Sequence, residues 1–177
     1  LCGRRWQHSQ RERGWQVRCC GKLAELNKGG FYMSKNAEHL EDISQLKARY
    51  FRLMDTQQWD SWHNCFTDDV SATYEGAPRI SKEEPEDIHI TGREELVEGV
   101  KKLMTGACSM HQGFMPEIEI LSDEKATGIW AMFDYVRLPT CNFKGWGHYH
   151  EVYVRSSEGW KIEKIHLTRL HTEEEWV

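Results

Sequence analysis

The chain has 177 residues, 29% of them charged and 39% hydrophobic, with a formal net charge of −5 at neutral pH. That length suits a single domain with a sizeable core, and the acidic balance gives no electrostatic reason to expect nucleic acid as a partner. No apolar run approaches the roughly 18 residues of a membrane span, and the N-terminus has no apolar signal-peptide centre, so a cytoplasmic protein with no membrane partner is expected.

Charge is unevenly distributed along the chain. Residues 1–32 carry Arg4, Arg5, Arg11, Arg13, Arg18, Lys22 and Lys28 against Glu12 and Glu25, together with Cys2, Cys19 and Cys20, whereas the remainder is acidic. This arm reads either as a basic nucleic-acid or targeting arm or as a non-native or disordered leader. The leader is the expectation: Lys28, Gly29 and Gly30 can be encoded by a purine-rich ribosome-binding sequence shortly before Met33, which places the domain at 33–177. After Met33 only Cys65, Cys108 and Cys141 remain, far apart, which suits a reducing compartment and forms no zinc pattern.

In chain order, Ile43, Leu46, Tyr50, Leu53 and Met54 recur at helical spacing and predict an amphipathic helix over about 37–56. A second short helix over about 59–66, bearing Trp59, Trp62 and Phe66, follows so closely that the two must form a hairpin or an L. Val70 to Tyr74 is rich in β-formers and leads into EGAPRISKEEPED, where Gly76, Pro78, Pro85 and many charges indicate a solvated loop, a candidate lid. Thr91 with Glu94 three residues on has the form of a capping box opening a third helix, whose buried stripe is Leu96, Val97, Val100, Leu103 and Met104. From Cys108 onward, β-rich segments at 109–121, 126–138, 146–155 and 160–170 alternate with short polar breaks, which predicts an antiparallel meander. Helices first and strands afterwards read as α+β, with helices on one face of a curved sheet.

Several polar residues stand where apolar ones are expected. Tyr50 lies on the buried face of the first helix and Asp55 at its end, so a phenol and a carboxylate are offered to the interior, or a core aromatic and a cap for the next helix. His111, on the strand after the third helix, is either a hydrogen-bonded rim residue or, facing Asp55, a general base whose tautomer and cation the carboxylate stabilises. Asp134 in WAMFDYV must be paired, hydrogen-bonded or lining a wet cavity, and Arg169 in HLTRL poses the same question, so a salt bridge between them is one reading. His148 and His150 share a sheet face and could ligate a metal, but Glu151 follows too closely for the cupin arrangement and no further ligand completes the set, so no metal is expected.

Together, the segments KARYFRLMDTQQWD, SMHQGFMPEIEI, KATGIWAMFD and LTRLHTEE resemble the SnoaL-like branch of the nuclear transport factor 2-like superfamily, and within it they are most similar to the bile acid 7-alpha-dehydratases, over about 42–175. The resemblance implies a cone of curved antiparallel sheet closed by three helices, usually as a homotrimer, and catalysis without a cofactor. It further implies Tyr50, Asp55 and His111 as catalytic residues and Tyr74, Asp134 and Arg169 as residues lining the substrate pocket. The segments 75–90 and 137–144 depart from the bile acid enzymes.

The expected activity is therefore elimination of water from a small hydrophobic hydroxy-ketone, steroid-like or polyketide-like. His111 would move the proton, Asp55 would orient it, and Tyr50 would donate to the enolate oxygen. An isomerase or cyclase working through the same enolate, and a non-catalytic binding module, are the alternatives.

Overall fold

The structure is a computed structural model that describes residues 34–177; the expected leader at 1–32 lies outside the described residues. The chain runs α1 (Lys35–Asp55), α2 (Trp59–Trp62), a 3₁₀ turn (His63–Cys65), β1 (Phe66–Tyr74), β2 (Ile88–Thr91), α3 (Arg93–Leu103), β3 (Cys108–Ile120), β4 (Lys125–Arg137), β5 (Cys141–Ser156) and β6 (Gly159–Trp176). The second expected helix is thus split between α2 and the 3₁₀ turn.

Helix α1 starts where Ser34, in extended conformation, accepts a hydrogen bond from the Ala37 N–H, and it ends at Thr56, after which Gln57 turns through a positive φ of 54°. Its buried stripe contains Ile43, Leu46, Tyr50, Leu53 and Met54, as the spacing requires, and also Lys47 and Phe51. Helix α3 departs from its expected start. Thr91 belongs to β2, and the cap is Gly92, whose φ of 95° lets the chain swing from strand into helix at little steric cost. Glu94 pairs with His63 at 2.7 Å instead of closing a capping box.

All six strands form one sheet in the order β2-β1-β6-β5-β4-β3. The four long strands pair antiparallel in succession. Strand β1 then joins β6 in parallel, with Ala72 opposite Ile165 and Tyr74 opposite Leu167, so the sheet is mixed. Short turns dictate the direction of successive strands, but they say nothing about a first strand that meets the last. Strands β5 and β6 are longer than their β-rich centres: Asn142 and Lys144 pair with Glu175 and Glu173, extending the ladder through residues that by composition resemble a loop. Register shifts at Phe114/Glu117, Trp146/Gly147 and Val152/Tyr153 bend the sheet locally.

The core fills the space between the helices and one sheet face, with Ile43, Leu46, Trp62, Phe66, Leu96, Tyr149, Tyr153 and Ile165 almost wholly buried. No helix among the described residues is long and apolar enough to cross a membrane.

Candidate active site

Asp55 stands on the last turn of α1 and reaches the start of β3. Its Oδ1 lies 2.6 Å from His111 Nδ1 and accepts from Ser109 Oγ at 2.7 Å, while Oδ2 accepts the His111 backbone N–H at 2.9 Å. A carboxylate at a helix C-terminus faces the negative end of the macrodipole, so it needs donors from elsewhere. The start of β3 supplies three. Burial alone would push the Asp55 carboxyl up; the His111 hydrogen bond and charge, its backbone N–H and the Ser109 hydroxyl overcome this and hold it below its ordinary range. An ionised carboxylate only accepts, so Nδ1 carries the proton that points to Asp55, and in the neutral ring Nε2 is the free lone pair. The histidine side chain is 8% exposed and the aspartate 18%.

His111 opens into a cavity of about 350 Å³ between α1, α3, the concave sheet face and the loop 77–85. Tyr50, Tyr74 and Tyr149 line it, and apolar groups such as Met54, Ile88, Val100 and Leu103 complete much of the wall. The Tyr50 and Tyr74 phenols adjoin, and burial drives both well above the usual tyrosine range. Tyr74 Oη is buried beside the Tyr50 hydroxyl but out of good hydrogen-bonding geometry with it or any other group.

Asp134 lies directly across the β3–β4 ladder from His111. Arg169 meets it through two parallel bonds, each 2.9 Å, and also donates to the Glu75 carbonyl. The salt-bridge reading therefore holds, and both residues also border the cavity. They belong to β4 and β6 and meet over β5 at Gly145, where an added Cβ would lie 2.3 Å from Arg169 Nη1 and 2.5 Å from Asp134 Oδ1. Of the six residues singled out by sequence, Tyr50, Tyr74, His111, Asp134 and Arg169 border this cavity, and Asp55 stands behind His111.

Residues 35–166 match the SnoaL-like domain family. The chain belongs to the SnoaL-like family. Its fold is similar to that of a candidate scytalone dehydratase from Novosphingobium aromaticivorans DSM 12444, with 18% identity over 81% of this chain and 91% of that one and a TM-score of 0.66. The hexachlorocyclohexane dehydrochlorinase LinA-type3 from Novosphingobium barchaimii LL02 is 17% identical over 79% and 92% of the two chains, with a TM-score of 0.64. ActVI-ORFA from Streptomyces coelicolor is 14% identical over 75% and 97%, with a TM-score of 0.58.

Sequence reasoning missed several parts of this SnoaL-like site. Ser109 could have been found, since strand alternation puts it on the same face as His111. Gly145 could not, because its role depends on two side chains from neighbouring strands. Lys47 stood in plain view as a charge on the apolar stripe of α1, and its partner Glu151 falls on the inward alternation of β5 between Tyr149 and Tyr153. His148 and His150 point to the other sheet face, ring centroids 6.3 Å apart, and among the described residues no three potential ligands converge to hold a metal. The Cys65 thiol, pushed up to about 11 by burial, is no nucleophile at neutral pH.

Proposed function

We propose that this SnoaL-like domain is a cofactor-independent lyase, a dehydratase that removes water from a small hydrophobic hydroxy-ketone of steroid-like or polyketide-like type. The observation that carries the reading is the Asp55–His111 pair: a histidine whose tautomer is fixed by a triply hydrogen-bonded carboxylate, with Nε2 free at the edge of a largely apolar cavity. The cavity lies within the roughly 300–1,000 Å³ common for small-molecule sites. Two proteins that share the fold, the candidate scytalone dehydratase and the dehydrochlorinase, are named for eliminations.

His111 Nε2 takes the acidic C–H proton beside, or vinylogous to, the carbonyl. The electron pair passes through the enolate to form the new C=C bond as the hydroxyl leaves, and the imidazolium returns the proton to that hydroxyl, releasing water. Asp55 stabilises the transient cation. Tyr50 donates to the enolate oxygen, with the unpartnered Tyr74 hydroxyl beside it; one such donor is typically worth about 3 kcal/mol. Arg169 neutralises Asp134, which would otherwise place a second carboxylate next to His111.

A panel of steroid-like and polyketide-like hydroxy-ketones, followed by mass spectrometry, tests the reading: the product should have lost water, and Asp55→Asn should abolish most of the rate. Products of unchanged mass would assign an isomerase or cyclase, and binding without turnover across the panel would assign a binding module. The homotrimer implied by the family resemblance is part of this proposal, and light scattering on the purified protein checks it.

A further inference from the structure

Lys47 does not border the cavity, yet it touches the groups that do. Its Nζ lies 3.6 Å from the centroid of the Tyr149 ring, 4.2 Å from that of Tyr50 and 4.6 Å from that of Phe51. Tyr50 and Tyr149 form cavity wall, and the Phe51 ring is parallel to the His111 imidazole within 9°, centroids 6.5 Å apart. Glu151 Oε1 fixes the ammonium at 2.6 Å. The other carboxylate oxygen accepts from the Tyr153 hydroxyl, which in turn accepts from Trp130 Nε1 at 2.8 Å. The ion pair is dry, with lysine and glutamate side chains 1% and 0% exposed.

Stability does not explain such a pair. Desolvating two charges costs about what their attraction returns, and apolar side chains of similar volume commonly do as well. Its location does explain it, since a cation against the face of a phenol draws electron density from the ring and makes the hydroxyl a better donor. The Glu151 charge acts on Tyr50 in the direction that weakens the donor, and an ammonium 4.2 Å from the centroid of the same ring opposes it.

We propose that Lys47 is a positioning residue for the elimination: held by Glu151, its ammonium fixes the rings of Tyr50, Phe51 and Tyr149 and keeps the Tyr50 hydroxyl a strong donor to the developing oxyanion. This rests on the role given to Tyr50 above.

A double-variant cycle on kcat separates positioning from mere structure. Lys47→Met should lower kcat about 10-fold with KM little changed, a fraction of the loss expected from removing an oxyanion donor outright. In a Tyr50→Phe background, where the ring remains but the hydroxyl is gone, Lys47→Met should change kcat by less than about twofold. Equal losses in both backgrounds would make Lys47 structural and overturn the inference. If Lys47→Met leaves Glu151 too costly to bury, Lys47→Met/Glu151→Gln carries the same cycle without an unpaired charge. Wild-type kcat in Tyr50→Phe alone would sink the donor role itself, whereas a loss there with none in Lys47→Met would sink only the role of Lys47. Carbon NMR of the labelled Tyr50 Cζ needs no substrate: its resonance should move in the Lys47 variant while that of Tyr135, on the outward alternation of β4, stays, and an unmoved Tyr50 signal counts against the proposal.

Discussion

His111 gives Asp55 both its Nδ1–H, at 2.6 Å, and its backbone N–H, at 2.9 Å, so one residue binds both oxygens of the carboxylate. The imidazole is thereby fixed in tautomer and in plane before any substrate arrives. Asp55→Asn keeps the shape but removes the charge that stabilises the imidazolium, and turnover should fall by at least ~100-fold while ligand binding hardly changes. His111→Ala should be about as damaging, and the double variant little worse than either, because groups acting as a unit are not additive. Steady-state kinetics on one true substrate measure all three.

After the His111 contacts, the Ser109 hydroxyl adds to holding the Asp55 carboxyl down. A carboxyl depressed in the folded protein contributes fully above its unfolded value, near 4, and loses that contribution as pH falls through the folded value. Ser109→Ala removes one donor, so the Asp55 carboxyl should rise and the acid-side loss of folding stability should set in at higher pH. The rate well above both values should stay within about 10-fold of wild type, since His111 still binds both oxygens. Denaturant unfolding measured across the acid range, with an onset of stability loss unmoved in Ser109→Ala, would remove Ser109 from the network.

Gly145 is the gap through which Asp134 and Arg169 meet. Gly145→Ala puts a methyl into the fork, and because the partners are charged and buried they cannot simply turn to solvent. The cost should be about 1–3 kcal/mol of stability, as for other overpacked sites, read as a lowered midpoint of denaturant unfolding. Gly128→Ala, where the nearest heavy atom is a Tyr153 ring carbon at 3.0 Å, should cost less.

The loop over the cavity is latched to the far end of β6. Arg79 binds Glu174 through Nε at 3.2 Å and Nη2 at 2.8 Å, and its Nη1 donates to the carbonyls of Lys82 and Glu84, drawing the loop into a closed turn. Glu174→Gln keeps the size and weakens one charge-assisted fork, so proteolytic cutting within 77–87 should quicken severalfold. Global unfolding should barely move, because the loop is outside the main core. Unchanged cleavage would mean that the latch does not hold the loop.

Local pattern was enough for much of this protein. The apolar stripe of α1 put Tyr50 inside, β-rich runs between short turns gave the antiparallel meander, and acid or base within apolar strands marked Asp134 and Arg169 as residues in need of partners, all from periodicity and the cost of burying charge. Helix α3 is capped one residue beyond the expected Thr91, because Gly92 takes a φ that only glycine adopts freely and turns the chain from strand into helix without a side-chain cap. What only the tertiary structure decided were meetings between distant segments: the parallel pairing of β1 with β6, the reach of Asp55 to Ser109 and His111, the crossing of Asp134 and Arg169 over Gly145, and the enclosure of Lys47 by Glu151 and three rings. Spacing along the chain fixes which face a side chain takes on its own element, but which faces meet depends on the bend of the sheet and the order of its strands, and those are set by packing the whole core at once.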